Sequence, residues 1–254
     1  MRPDEVRVRC GDWDLLEDLE LWEPQDRDVE SFSRHPAYNG NQLWNDIALI
    51  HVDTDFVLHN ADGSNPNVDR ICLPKVGADL DHEVNNCVVT GWGERAEDYV
   101  KADDNGPAEQ PIMKAVHNLP IVDHEECEKD IKADLSRFRL HESFVCAGGQ
   151  PGVDACSGDG GGPLACPQEQ DKDTYTLAGV VVGGIGCGSD IPGAYASIEY
   201  NLCFIHWATK CKDGARYSDY YWESACDDWM NELKPTLKRS REKEAAKVLE
   251  DSCI

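Results

Sequence analysis

A disulfide-bonded fold containing several β-strands is what this sequence predicts, and three observations predict it. First, short runs of strand-forming residues recur between turn residues. Val6-Arg7-Val8-Arg9 alternates apolar and charged positions, Ile47-Ala48-Leu49-Ile50 is a buried apolar type, and Thr176 to Val182 is rich in β-branched residues. Second, the 12 cysteines fit neither paired zinc sites nor a redox Cys-x-x-Cys motif, which leaves disulfides in an oxidising compartment. Third, Gly158-Asp159-Gly160-Gly161-Gly162-Pro163 lies among Cys146, Cys156 and Cys166, a loop whose glycines let another backbone or a ligand approach closely. With 254 residues the chain can bury a full core as one large or two small domains.

Taken in order, the alternating strand from Val6 runs into a turn at Gly11-Asp12-Trp13-Asp14, and a charged loop leads to Gln25-Asp26-Arg27-Asp28-Val29. His35, before Pro36, is a candidate catalytic base, but a structural role is the preferred reading. Asp46 opens an apolar strand, where an ionised carboxylate needs partners. Taken alone it is a strand-start aspartate facing water. Ile71-Cys72-Leu73-Pro74 and Cys87-Val88-Val89-Thr90-Gly91-Trp92-Gly93 follow, then an acidic segment, Asp98 to Pro107, expected to be an exposed loop. Asp123 to Lys132 has helical character, and Ile198, Leu202, Ile205 and Ala208 recur at helical spacing. Beyond them, 209–254 carries Cys211, Cys226 and Cys253 and ends in a Lys/Glu/Ala-rich stretch expected to be helical.

Charge and motif excludes several function classes. A net charge of −25 disfavours nucleic acid and anionic membrane surfaces, and it suits basic protein partners or simply an acidic surface. The acidity is not uniform, because Lys234, Lys238, Arg239, Arg241, Lys243 and Lys247 make the tail locally basic. The glycine loop is no phosphate cradle, since Pro163 stands where Gly-x-Gly-x-x-Gly needs glycine, and it lacks the acidic spacing of a calcium loop. No metal or other cofactor is expected. Met1 to Glu5 is polar with no apolar run behind it, and Leu177 to Ile185 is too short to span a bilayer. Disulfide-type cysteines without an export signal lead us to expect that the start of the protein is missing.

In combination these landmarks resemble the trypsin/chymotrypsin-like serine proteases, over roughly 6–208. Val8-Arg9-Cys10-Gly11-Asp12-Trp13-Asp14, Gln25 to Val29, His35-Pro36 and Phe138 to Cys146 are similar to the arthropod clip-domain branch. The resemblance implies an all-β fold, a pair of antiparallel β-barrels with a C-terminal helix, the first barrel lacking its opening strands. Its domain would be 1–208, with 209–254 a cysteine-containing extension. His35 would lie on a surface loop. Asp46 matches the triad aspartate, and Gly160 stands where the family has its nucleophilic serine; Ser157 is a poor substitute. The family's histidine follows Ala-Ala and precedes Cys, and none of His35, His51, His59, His82, His117, His124, His141 or His206 has that context.

The resemblance also implies the remaining parts. Gly158 and position 160 would supply oxyanion-hole N–H groups. Asp159 matches the aspartate that pairs with an N-terminus freed by activation, so without that terminus a zymogen-like loop is expected. Asp154 matches the base of a pocket for arginine or lysine, which Gly184 and Gly193 leave open; an exposed acidic loop residue is an equal reading. Val182 and Gly183 replace the family's serine and tryptophan on the pocket wall. Cys87 would pair with Cys166, Cys127 with Cys146, and Cys156 with Cys187. Cys72 would reach an upstream light chain, and Cys10, Cys203, Cys211, Cys226 and Cys253 stay unassigned.

The expected function is that of a secreted, non-catalytic protease homologue. It would be a binding cofactor or regulator in an extracellular cascade such as prophenoloxidase activation, with cascade proteases or their zymogen substrates as partners. Two other readings stay open: a trypsin-like endopeptidase whose start and serine are lost from a fragmentary or erroneous sequence, and a gene fragment without function.

Overall fold

The computed structural model describes residues 2–17, 20–58, 67–75, 86–95, 111–169, 171–213 and Cys226. The strands form two antiparallel sheets. The smaller contains β1 (Arg7–Cys10), β2 (Gln25–Arg34) and β3 (Ala48–Val52), in that order. Its register sets Arg7 opposite Asp28 and Arg9 opposite Asp26, so opposite charges meet across the pair.

The larger sheet has seven strands: β4 (Cys87–Gly91), β5 (Lys114–Leu119), β6 (Ile121–Val122), β7 (Phe144–Gly148), β8 (Pro163–Pro167), β9 (Tyr175–Gly183) and β10 (Pro192–Ser197). Their order is β5-β4-β8-β9-β10-β7-β6, which places β5 and β6 at opposite edges. Yet only Pro120 separates those two strands in the chain. The sheet must therefore curl until its edges meet, which is how a sheet closes into a barrel. Gly148 N–H donates to the Pro120 carbonyl at 2.9 Å, which carries the β6–β7 pairing up to that seam.

Inward positions of this sheet make its core: Val89, Leu119, Ala147, Leu164, Ala178 and Tyr195 are all buried. Helix α1 (His124–Asp134) is capped by Asp123, whose carboxylate accepts from the N–H groups of Glu125 and Glu126. The sequence places this helix at Asp123 to Lys132; Asp123 is its cap and the helix runs two residues further. Cys127 and Ile131 on its inner face meet Leu140 and Phe144. Helix α2 (Leu202–Asp213) buries Leu202, Phe204 and Ala208 against Ile47, Ala196 and Ile198, so it ties the two sheets together.

The expected pair of β units with a C-terminal helix is the observed architecture, and two local expectations are corrected. His35 is not a surface residue: it is 3% exposed and its ring meets Phe204 at 4.9 Å. The strand after Asp46 is not buried on both faces, since Ala48 is exposed and Ile50 is 51% exposed. That sheet has three strands, and its outer face is left uncovered by the described residues. The predicted Asp98 to Pro107 loop and most of 209–254 lie outside the described residues.

Candidate functional site

The glycine loop enters the site from β7 and leaves it into β8. Cys156 is bonded to Cys187, which pins the loop to the wall running toward β10, while Cys87–Cys166 bridges the paired strands β4 and β8 and Cys127–Cys146 holds α1 to β7. A fourth bond, Cys203–Cys226, joins α2 to the following segment. Among the described cysteines Cys10 and Cys72 are free, and Cys72 is exposed.

Asp159 is the anchor of the loop. It is 2% exposed, and its Oδ1 accepts the Gly93 N–H at 2.9 Å while Oδ2 accepts the Cys156 N–H at 2.8 Å. A carboxylate this deep needs a cation. Lys114, at the start of β5 and itself buried, supplies one: its Nζ lies 2.6 Å from Asp159 Oδ2 and also donates to the Glu94 carbonyl. A lysine of this chain thus stands against Asp159, the aspartate that the resemblance matches to one paired with a freed N-terminus. Gly91 and Gly93 make the room: a Cβ on them would sit 2.4 Å and 2.6 Å from Asp159 atoms.

Beside this anchor lies a cavity of about 330 Å³, lined by Asp154, Gly158, Gly160, Gly184, Gly193 and Tyr195 among others. Asp154 is 6% exposed and accepts the Gly188 N–H at 3.2 Å. Burial pushes its carboxyl up to about 6, against the Gly188 and Ala155 N–H groups that favour its charge. Of the two readings of Asp154, the structure places it on the cavity wall. Tyr195, fully buried beneath it, has a hydroxyl pushed above its ordinary range, by desolvation first and then by Asp154 and Asp159.

Gly160 lies at the loop tip, exposed, and a Cβ built there would meet nothing within 4 Å. The site thus offers no hydroxyl where the loop presents its centre. Asp46 is half-buried just before β3, its carboxyl raised by desolvation, and it is not among the cavity-lining residues. Three histidines have structural partners instead. His35 Nδ1 accepts the Ala37 N–H, His51 Nε2 bonds Ser33 Oγ, and His141 stacks on Trp44 and bonds Ser143 Oγ. Among the described residues no three His, Cys, Asp or Glu side chains cluster as metal ligands would.

Sequence reasoning missed Lys114 and the Tyr195 hydroxyl. A signal existed for the first: in Lys114-Ala115-Val116 the period of two puts a lysine on the inward face with Val116.

Two antiparallel β units, a C-terminal helix across them, and a carboxylate-lined pocket beside a glycine loop define a trypsin-type domain with glycine at the loop tip. A trypsin family match spans residues 3–205, and the chain belongs to that family. It is 39% identical over 196 residues to phenoloxidase-activating factor 2 of Galleria mellonella, covering 76% of this chain and 60% of that protein. It is 36% identical over 203 residues to inactive CLIP domain-containing serine protease A28 of Anopheles gambiae, covering 79% of this chain and 48% of that one. Protein masquerade of Drosophila melanogaster matches at 37% over 207 residues, 80% of this chain and 18% of its own length. The chain therefore spans 60% or less of each of these relatives.

Proposed function

We propose that this domain is a non-catalytic, secreted protease homologue that acts by binding within an extracellular proteolytic cascade, such as one that activates prophenoloxidase. One observation carries the reading: Gly160 occupies the loop tip. Acyl transfer in this family begins with a side-chain oxygen that forms a covalent intermediate, and glycine has none. Binding geometry alone leaves only a residual rate when the nucleophile and base do not act. What persists is a cavity held open by an ion pair and a disulfide, so recognition outlives chemistry.

The four disulfides among the described residues support an oxidising, extracellular setting. The name phenoloxidase-activating factor 2 and the inactive homologues among the relatives support the cascade. Cascade proteases or their zymogen substrates are the partners, and exposed Cys72 is the point at which a light chain would be joined.

The test has two arms. Incubated with a fluorogenic arginine substrate and a serine-directed phosphonate probe, the protein should neither turn over the one nor be labelled by the other. Added to a cascade protease and its zymogen substrate, it should change the rate of zymogen activation. Labelling would overturn the non-catalytic assignment, and an unchanged activation rate would overturn the cascade role.

A further inference from the structure

Between β1 and β2 the chain leaves the smaller sheet and returns to it, and the backbone of this connection is held at several points. The Leu15 N–H donates to the Pro111 carbonyl and the Met113 N–H to the Trp13 carbonyl, both at 2.9 Å, just ahead of β5. Glu20 Oε1 accepts the N–H groups of Trp13 and Asp14 at 3.1 Å and 3.2 Å, which draws the returning arm against the outgoing one. Asn67 Nδ2 donates to the Trp22 carbonyl at 3.1 Å, and Asp14 Oδ1 accepts the Leu16 N–H at 3.0 Å.

The side chains do not follow the backbone inward. Trp13, Leu15, Leu16, Leu21 and Trp22 are between 42% and 97% exposed. Asp14 pairs with Ile112, so Trp13 and Leu15 on either side of it share the other face. The Glu20 contact to the Trp13 N–H sets Leu21 and Trp22 beside them. Large apolar side chains presented to water on a fixed backbone add no burial to the fold, and a group of them marks an interaction surface.

Charge selects the occupant. The described residues of 11–24 include Asp12, Asp14, Glu17, Glu20 and Glu23 and no lysine or arginine. Arg9, a cation that reaches this connection, is held by Asp12 at 3.4 Å and by Asp26 at 2.8 Å. Glu17 and Glu23 stand exposed next to Leu16 and Trp22. An anionic lipid surface would be repelled, and a second copy of the same patch would set like charges face to face.

We propose that this surface docks a basic, apolar segment of a partner polypeptide. Large apolar side chains of the segment cover Trp13, Leu15, Leu16, Leu21 and Trp22, while its lysines or arginines pair with Glu17 and Glu23 at the margin. Aromatic anchors at the centre supply affinity, and charge at the rim supplies partner choice. The inference deepens the binding role proposed above and rests on it. It gives that role a surface apart from the cavity, which none of these residues line.

The experiment titrates the intact protein with a fluorescent synthetic peptide, Leu-Lys-Trp-Lys-Leu-Arg-Trp-Lys, and reads anisotropy. A matched peptide with serine at each apolar position carries the same charge and should bind at least about tenfold more weakly. Leu16→Ser combined with Leu21→Ser should weaken the first peptide by about tenfold. Glu17→Lys combined with Glu23→Lys should do the same and flatten the dependence on salt. Asp134→Lys combined with Asp173→Lys makes the same charge change at exposed positions elsewhere and should leave binding within about twofold. Equal binding of the two peptides, no binding of the first, or equal losses from the two pairs of charge variants overturns the proposal. So does dimerisation, or binding to phosphatidylcholine vesicles, that Leu16→Ser with Leu21→Ser removes, since the surface would then serve a second copy or lipid. The comparison of peptides on the wild-type protein stands whether or not a variant folds. No protease or zymogen is present, so zymogen activation and probe labelling judge the cascade role separately.

Discussion

The two β units handle charge in opposite ways. In the three-stranded unit arginine and aspartate meet on the surface: Arg7 to Asp28 at 3.0 Å and Arg9 to Asp26 at 2.8 Å, with all four side chains at least a third exposed. Nearby apolar residues stay in the open, Leu16 at 77% and Leu21 at 97% exposure. In the seven-stranded unit one ion pair is inside: Lys114 and Asp159 meet at 5% and 0% exposure, beneath a core stapled by disulfides. The cavity is built entirely from this second unit, whereas Asp46, the triad-like carboxylate, belongs to the first. The cavity therefore draws on one unit alone, and Asp46 lies outside it.

The sharpest way to break that contrast is to remove the buried cation. Lys114→Met leaves Asp159 charged and enclosed, which should cost about 3–5 kcal/mol. Pairing it with Asp159→Asn should recover much of the loss, since the uncompensated charge is then gone. Urea denaturation of the single and double variants checks this. A single variant as stable as wild type would show that the ion pair does not hold the loop.

A smaller effect separates the units by pH. Burial raises Asp154 to about 6, so between the unfolded value near 4 and that value the native state binds the extra proton. Its stabilising contribution is present below about 4 and is lost as pH rises through about 6. His35 has the opposite sign, since burial holds its imidazole down to about 4. Its contribution is present above the unfolded value near 6.5 and is lost as pH falls through about 4. Asp154→Asn should therefore be more stable than wild type at neutral pH, by roughly 2–3 kcal/mol, and equal to it in acid. On acidification the variant should lose stability more steeply, with the His35 effect unopposed. Parallel pH curves would show that the buried acid is some other group.

Much of this was legible in the chain, for a physical reason. Gly158 to Pro163, Cys146, Cys156 and Cys187 act through local backbone geometry and fixed covalent partners, so residue identity already constrains what they do. Lys114 was not legible as a partner. Its meaning depends on Asp159, 45 positions away, meeting it only after β4 and β5 pair and curl. His35 was misplaced on the surface for a similar reason. The aromatic ring that buries it comes from Phe204, in a helix at the other end of the domain. Side chains whose environment is assembled from distant segments carry no local signal of which partner they will meet.

The smallest expected effect completes the comparison. Arg9 holds Asp26 below the usual carboxylate range through a direct side-chain hydrogen bond, yet both groups are bathed in solvent. Water and salt screen such a pair, and ordering two mobile side chains offsets what attraction remains. Arg9→Met should leave the denaturation midpoint where it stands, and added salt should not separate variant from wild type. A clear loss of stability would mean that the β1–β2 edge depends on its surface charges as the barrel depends on Lys114. The N–O distances within the two pairs, 2.8 Å and 2.6 Å, are similar, so exposure alone would then have failed to rank them.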